Sequence, residues 1–233
     1  MKKIFYRLFA VQILLSFELV TKEYTYFSKK HKKFTAKKQK EELFENVGCR
    51  YSNSMVIDVE VDMVPAQNSE YFQNNQDRIV SLSSQYKKDV INKTLAPMYL
   101  KFVSPVIGYG IFAAAPIKKD DFIGVYTGRL RNLHWDKPDF HEDVDYAWYY
   151  TISDKKNNYM IIDGKYEGND LRFINHADNP NTKRIDIIVE NLFYVCYIAC
   201  RDIAINEELT VSYGNGYWTS RGITPEISTN ASN

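Results

Sequence analysis

The stretch DLRFINHADNPN, Asp170 to Asn181, combines residue types that neither a plain buried strand nor a plain surface loop would contain. Phe173 and Ile174 are apolar enough for the interior, yet Asn175 and His176 follow them directly and a proline turn comes next. A backbone that is anchored inside and turns its polar atoms toward a ligand explains this mixture. The simpler alternative is that His176 is a hydrogen-bonded histidine of the interior.

Three further segments carry small or polar residues at suggestive positions, and each has an ordinary explanation when taken alone. Gly108-Tyr109-Gly110 lies between two strand-like runs and is typical of a tight turn. Because it does not open a helix, it argues against a dinucleotide-binding fingerprint. Tyr126-Thr127-Gly128 is equally unspecific, and EELTVSY, Glu207 to Tyr213, is compatible with an acidic turn that enters an edge strand.

The order of these segments is more informative than any one of them. GxG, YxG, Ile162-Asp163-Gly164 with Gly168-Asn169, RFINH and EELTVSYG follow one another in a series that resembles the SET-domain protein methyltransferases. The resemblance extends from Ala96 to about Trp218. It implies a mainly β fold of small curled sheets with short helices, whose carboxyl-terminal segment threads beneath a preceding loop, an exception to the rule against knotted chains.

The resemblance also implies a cofactor, S-adenosylmethionine, as the methyl donor. Asn175 would then lie near the amino group of the donor, and the backbone of His176 near its adenine. Gly108 and Gly110 would let the backbone approach the methionine end of the donor, where a Cβ would collide with it. The resemblance points to four further cofactor contacts: Tyr109, Tyr146, Arg172 and Trp218. A place in the core explains Trp218 almost as well, and a plain strand explains Tyr146.

Methyl transfer from a sulfonium to an amine is an in-line displacement, and its obstacle is that free lysine has a pKa of about 10.4. A dry aromatic channel and a nearby sulfonium both lower the pKa of the lysine amine, and the channel aligns the reacting atoms. The resemblance assigns the hydroxyl at the transfer point to Tyr213. It makes Tyr126 the second catalytic tyrosine and places Trp148 in the lysine channel.

The sequence departs from many of these relatives in two respects. Val125 and Arg129 flank the YxG motif, where many histone-directed relatives carry acids. Asp178 stands where many have a cysteine that joins a carboxyl-terminal zinc cluster, and no cysteine follows Cys200. We therefore predict no metal site, expect Cys196 and Cys200 to be buried strand thiols, and assign closure of the channel to the NGYW segment and the tail.

Length and composition set the remaining expectations. The 233 residues suffice for one domain with an extension, and 30 basic against 29 acidic side chains give no global attraction to nucleic acid or membrane. We expect a helical, basic N-terminal extension over residues 1–95, a SET domain over 96–218 and a flexible tail over 219–233. Within the extension, alternation predicts a half-exposed strand over Met55–Val64, and helical spacing predicts one amphipathic helix over Ser69–Lys93.

Residues 1–21 begin basic and continue apolar, which is the outline of a signal peptide. Gln12, Ser16 and Glu18 interrupt the apolar run, no small-residue cleavage site follows, and the run is too short and too polar for a stable membrane span. A packed helix and a targeting segment both remain open. The location also remains open among the cytoplasm, the nucleus, and secretion as an effector that acts in a host nucleus.

The leading interpretation is a methyltransferase that modifies an exposed lysine of a protein, with a histone tail as one candidate substrate. A non-histone protein substrate is the first alternative. The second is a non-catalytic SET-like binding module, which would have no need of Asn175, His176 and Tyr213. Acids in Asp139–Asp145 would suit a basic peptide. The lysine-rich block Ser28–Lys40 is more typical of a solvated face than of a nucleic-acid site, so direct nucleic-acid binding is not favoured.

Overall fold

The structure, a computed structural model, describes residues 33–61, 63–133, 144–150 and 159–222. Within these ranges the helices are few and mostly short: α1 (Lys33–Asn46), α2 (Glu70–Asn74), α3 (Gln76–Ile91) and α4 (Asn215–Thr219), with 3-10 turns at Ala66–Asn68 and Asp170–Phe173. Short strands dominate: β1 (Arg50–Tyr51), β2 (Val56–Ile57), β3 (Met98–Ser104), β4 (Gly108–Ala113), β5 (Phe122–Val125), β6 (Arg129–Leu133), β7 (Ala147–Tyr150), β8 (Tyr159–Asp163), β9 (Glu167–Gly168), β10 (Asn175–His176), β11 (Thr182–Val189), β12 (Leu192–Ala199) and β13 (Glu208–Val211).

The strands form small sheets instead of one continuous sheet. Their orders are β10-β13-β4-β3, β11-β12-β5, β2-β6-β8-β7 and the pair β1-β9. Most pairs are antiparallel, while β1–β9, β2–β6 and β10–β13 are parallel. The predicted mainly β fold with short helices and small sheets is therefore confirmed. The last strand that the structure describes, β13, lies between β4 and β10.

Strand β13 is buried along its length, and side chains complete the hydrogen bonding of its backbone. Asn181 accepts a hydrogen bond from Thr210 N through Oδ1 (2.9 Å) and donates Nδ2 to Glu208 O (2.8 Å). Thr182 Oγ1 donates to Thr210 O at 2.7 Å. A buried backbone group without a hydrogen-bond partner is costly. Because β10 is short, the side chains of Asn181 and Thr182 supply partners for backbone groups of β13.

The region before residue 96 is part of the same packed unit, at least over its described residues. Strands β1 and β2 pair with β9 and β6, and α3 packs against β5 and β11. Leu43, Phe44 and Ile79 belong to the same hydrophobic cluster as Leu171 and Phe173 of the motif region. The N-terminal extension is thus joined to the sheets by strand pairing and by a shared core.

Two local predictions for this region need correction. The strand predicted over Met55–Val64 is limited to Val56–Ile57, because Asp58 starts a turn in which its Oδ1 accepts from Val59 N and its carbonyl accepts from Val61 N. Val59 is 96% exposed as a result. The single helix predicted over Ser69–Lys93 is divided at Asn75, whose side-chain amide donates to Tyr71 O.

The described end of the lysine-rich block takes part in the fold. Lys40 forms an ion pair with Asp170, and its ammonium lies 4.1 Å from the centroid of the Tyr51 ring. Residues 28–32 of that block, the apolar segment 1–21 and the tail from residue 223 lie outside the described residues. Among the helices that are described, none has the length and apolar content needed to cross a membrane.

If α3 shares one core with the sheets, Ile79→Ala should destabilise the whole chain. Ile79 is 1% exposed, and truncation of such a side chain costs about 2–5 kcal/mol. Denaturant unfolding followed by circular dichroism should therefore give one transition at a lower midpoint. The matched control is Val80→Ala, a 52% exposed neighbour, which should change the free energy of unfolding by less than about 0.5 kcal/mol. A separate early transition in Ile79→Ala would contradict a shared core.

Candidate active site

A cavity of about 420 Å³ opens beside the motif segments, and six aromatic residues are among those that line it. The rings come from separate parts of the chain, which meet only in the folded structure. They belong to Tyr126, Tyr146, Trp148, Tyr149, Tyr213 and Tyr217. This aromatic pocket therefore unites the predicted catalytic pair, Tyr126 and Tyr213, with the predicted channel residue Trp148.

Tyr126 is buried at one wall of the aromatic pocket, and its hydroxyl donates to Tyr146 O. Gly164 leaves room for this hydroxyl, because a Cβ on Gly164 would lie 2.6 Å from it. Burial raises the pKa of Tyr126 well above its ordinary value. The hydroxyl therefore keeps its proton at neutral pH and cannot act as a base there.

Tyr213 follows β13 and occupies another wall of the pocket. Its hydroxyl donates to Ile174 O at 2.7 Å, so that its position depends on the residue just before Asn175. Burial raises the pKa of Tyr213 as well. Because both hydroxyls give their protons to main-chain carbonyls, each has only its oxygen lone pairs left for a ligand, and each would accept a hydrogen bond from an amine.

Asn175 lies on β10 and hydrogen-bonds through Nδ2 to a residue of β13 and a residue of the GxG strand β4. This atom donates to Glu208 Oε1 at 2.8 Å and to Tyr109 O at 3.3 Å. No described residue donates a hydrogen bond to Asn175 Oδ1, which leaves this oxygen as an acceptor for a ligand. Asn175 thus has the acceptor that an ammonium group needs.

The two glycines of the GxG motif have different roles, and neither is explained by the predicted approach to a cofactor alone. Gly108 has a φ of 79°, which side chains rarely adopt, and nothing lies within 4 Å of a Cβ built there. At Gly110 a Cβ would overlap the Glu208 carboxylate and would lie 2.9 Å from Asn175 Nδ2. Gly110 is therefore needed for the hydrogen bond between Asn175 and Glu208.

His176 holds the backbone at Tyr213 with its side chain. Its Nδ1 accepts from Tyr213 N at 3.2 Å, which requires that Nδ1 carry no proton. The proton of the neutral ring therefore lies on Nε2, which is 3.3 Å from Asp178 Oδ1. The open alternative of a hydrogen-bonded interior histidine is correct for this side chain, and the contact predicted between the His176 backbone and adenine stays a prediction.

Trp218, on α4, lies over Tyr213 with the two rings nearly parallel, at 13° and 5.9 Å between centroids. Its ring centroid is 5.0 Å from that of His176. The indole Nε1 is buried, and no described residue accepts its hydrogen. Buried donors without a partner are uncommon in folded proteins. The predicted stacking of Trp218 on adenine is not tested by these contacts.

Arg172 and Tyr146, both predicted as cofactor contacts, lie together at the aromatic pocket. The Arg172 guanidinium is 4.3 Å from the Tyr146 ring centroid, and its Nε donates to Gly164 O at 2.8 Å. Arg172 thus ties the 3-10 turn before Asn175 to the turn at Gly164. Contact of either side chain with the cofactor remains a prediction.

Tyr217, which lines the pocket, belongs to the NGYW segment that was predicted to close the channel. Two further residues were missed from the sequence: Glu208, which lies beside Asn175, and Arg221, which lines the pocket. The doubled glutamate of EELTVSY could have indicated the first, since alternate residues of a strand face opposite sides. Arg221 pairs with Asp145 at 2.8 Å, and its guanidinium lies 3.9 Å from the Tyr217 ring centroid. This pair joins the segment before β7 to the end of α4 across the pocket. The other predicted acids, Asp139, Glu142 and Asp143, lie outside the described residues.

The cysteines are free thiols. Cys196 is fully buried in β12, as predicted, and burial raises the pKa of its thiol. Cys200 was expected to be buried in a strand as well, but it is partly exposed, because β12 ends at Ala199 and Cys200 lies in the bend that follows. In the part of the chain that the structure describes, no three His, Cys, Asp or Glu side chains are grouped as metal ligands would be.

The Asp145–Arg221 pair should hold α4 against the pocket. Arg221 is only 11% exposed in its side chain, so its loss should weaken α4 by about 1 kcal/mol, the upper end for an accessible pair. Hydrogen exchange of the amides at 217–222 should then be about fivefold faster in Arg221→Gln than in the unaltered chain. Lys118→Gln, which breaks the exposed pair with Asp202, is the control and should leave these amides unchanged. Equal exchange in both variants would mean that the pair does not hold α4.

Comparison with known proteins also identifies the motif region as a SET domain. A SET-domain profile matches residues 108–214. The histone-lysine N-methyltransferase EZH2 of Chaetomium thermophilum is 30% identical over 117 residues, which are 47% of this chain and 8% of that protein. PR domain zinc finger protein 14 of Mus musculus is 33% identical over 115 residues, 49% of this chain and 20% of that protein. The chain therefore spans only a small part of the length of these relatives.

Solved structures agree on the fold. The crystal structure of ATXR5 in complex with histone H3.1 monomethylated on R26 superposes with a TM-score of 0.58 at 20% sequence identity. The match covers 83% of this chain and 91% of the ATXR5 chain. A second ATXR5 SET-domain structure, with histone H3 dimethylated on R26, gives a TM-score of 0.56 at 20% identity over 77% of this chain and 87% of that one. Motif order, sheet topology and profile match converge on one conclusion: residues 108–214 of this chain form a SET domain.

Proposed function

We propose that this protein is an S-adenosylmethionine-dependent methyltransferase that modifies the side-chain amine of a lysine in a protein substrate. The observation that carries the proposal is the convergence of Tyr126, Trp148 and Tyr213 on one aromatic pocket next to Asn175. The SET-domain match and the relatives named for histone-lysine methyltransfer support the same activity.

The residues beside the pocket fit the expected methyl donor. Asn175 Oδ1 is an acceptor for the donor's ammonium, and the buried Trp218 Nε1 is a hydrogen-bond donor for an acceptor on the ligand. Open space at Gly108 leaves room for a ligand against the backbone. When bound, S-adenosylmethionine supplies an electrophilic methyl group on a positively charged sulfur.

The aromatic pocket suits a lysine side chain in two ways. Its rings contact the aliphatic stem and attract the ammonium through their π-systems. Removal of the amine from water lowers the lysine pKa and so favours the neutral nucleophile. Tyr126 and Tyr213 then accept hydrogen bonds from the amine, because their own protons are already given to the carbonyls of Tyr146 and Ile174. These hydrogen bonds direct the remaining lone pair of the nitrogen toward the methyl carbon.

We further propose a histone tail as the substrate. The ATXR5 structures are complexes with histone H3, and the EZH2 relative is named for histone lysine. Asp145 at the pocket contributes an acidic group, although its pairing with Arg221 offsets the charge. A non-histone protein remains the alternative substrate, and the assay below includes it.

The proposed activity predicts that the purified chain transfers labelled methyl groups from S-adenosylmethionine to lysine. Recombinant histones and a whole-cell lysate serve as acceptors, and mass spectrometry identifies the modified residue. Tyr213→Phe removes one of the hydroxyls that align the amine, and misalignment of this kind costs about 100-fold in rate. The matched control is Tyr166→Phe, which alters a tyrosine that is 68% exposed and lies outside the pocket, and it should retain the activity.

Each contrary outcome has a definite meaning. Label on lysate proteins but not on histones would contradict the histone proposal and favour the non-histone alternative. Full activity of Tyr213→Phe would contradict the alignment by its hydroxyl. No labelled acceptor at all with a folded chain would contradict the methyltransferase and favour a non-catalytic binding module.

A further inference from the structure

Glu208 is a buried carboxylate directly behind Asn175. It is the first residue of β13 and is 6% exposed, and its Oε1 accepts a hydrogen bond from Asn175 Nδ2 at 2.8 Å. Gly110 of the neighbouring β4 packs against both groups so closely that a Cβ there would overlap the carboxylate. The glycine in β4 thus leaves the space in which the Asn175 amide and the Glu208 carboxylate meet.

This arrangement determines which way the Asn175 amide faces. A side-chain amide has two N–H hydrogens and one oxygen, and its two ends have almost the same shape. Both hydrogens of Asn175 are taken, one by Glu208 Oε1 and one by Tyr109 O at 3.3 Å. The oxygen Oδ1 must therefore lie on the other side, where none of the described residues donates to it.

Glu208 contributes more to this orientation than Tyr109. Hydrogen bonds to a charged acceptor are shorter and about twice as strong as those between neutral groups. The distances follow this rule, with 2.8 Å to the carboxylate and 3.3 Å to the carbonyl. If the amide were reversed, its oxygen would face the Glu208 carboxylate and the Tyr109 carbonyl, and three acceptors would repel one another.

We propose that Glu208 is the positioning residue that fixes the Asn175 amide with Oδ1 toward the methyl donor, and so selects a ligand with an ammonium group at that point. The inference rests on the proposed function, because it takes the donor to be an adenosyl compound with an amino-acid end. Glu208 acts through Asn175, and no contact of its own with the reacting atoms is involved.

Loss of Glu208 should weaken the binding of ligands that carry an ammonium group more than the binding of ligands that lack one. S-adenosylhomocysteine carries the amino-acid end, whereas 5′-methylthioadenosine has the same adenosine and a thioether but no ammonium. In Glu208→Ala the Asn175 amide loses the stronger of its two hydrogen bonds and can turn more easily, so binding of S-adenosylhomocysteine should weaken about tenfold or more. Binding of 5′-methylthioadenosine should change less than twofold. Isothermal titration calorimetry measures both affinities and needs no turnover.

Two further variants separate orientation from other effects. Glu208→Gln keeps an acceptor oxygen for Asn175 Nδ2 but can also present a donor. Its affinity for S-adenosylhomocysteine should therefore fall between the affinities of the unaltered chain and of Glu208→Ala. Asp202→Asn, which removes a carboxylate that is 63% exposed, should bind both ligands as the unaltered chain does. Circular dichroism on heating checks that each variant is folded before titration.

Several outcomes would overturn the inference. One is unchanged binding of S-adenosylhomocysteine in Glu208→Ala, and another is equal weakening of both ligands, which would indicate a general role in the fold. A Gln variant as weak as the Ala variant would indicate that the negative charge, and not the orientation of the amide, determines binding. If the unaltered chain binds neither ligand, the proposed donor is wrong and the inference fails with it. Binding without methylation would leave the role of Glu208 intact and count against the proposed function alone.

Discussion

The burial of strand β13 between β4 and β10 is the constraint on which the rest of the site depends. A strand in this position must have its backbone groups satisfied on both sides, yet β10 is only two residues long. Asn181 and Thr182 supply the missing partners through their side chains. The polar residues after the proline turn are therefore structural, and they hold the carboxyl-terminal segment against the motif segment.

The placement of β13 brings together groups that are far apart in the sequence. Its first residue, Glu208, reaches Asn175, and the segment beyond it returns Tyr213 to the carbonyl of Ile174 and to the ring of His176. Asn175 and the aromatic pocket are thus joined through one strand and its continuation. Helix α4 and the pair between Asp145 and Arg221 then cover the pocket without a metal cluster among the described residues.

The amino-acid sequence predicted well those features that depend on local pattern. Helical spacing predicted helix in Ser69–Lys93, where α2 and α3 lie. The order of short motifs led to Tyr126, Trp148 and Tyr213 before their convergence was visible. The strand predicted after Met55 was mostly wrong, because the short-range hydrogen bonds of Asp58 prevailed over an alternating pattern.

Long-range contacts could not be predicted in the same way. Nothing local in the sequence indicates that Lys40 pairs with Asp170, or that Ile79 completes the core under the motif region. The reason for Gly110 was also inaccessible, because it lies in a contact between Asn175 and Glu208, which are 33 residues apart. Such features depend on which surfaces meet, and a single sequence gives no direct information about that.

The most direct test of the account is a crystal structure of the chain with S-adenosylhomocysteine and a lysine peptide. The ligand's amino group should lie within hydrogen-bond distance of Asn175 Oδ1. The lysine nitrogen should lie between the hydroxyls of Tyr126 and Tyr213, with its lone pair directed at the ligand's sulfur. An adenosyl ligand bound away from Asn175, or a lysine outside the aromatic pocket, would contradict the proposed site.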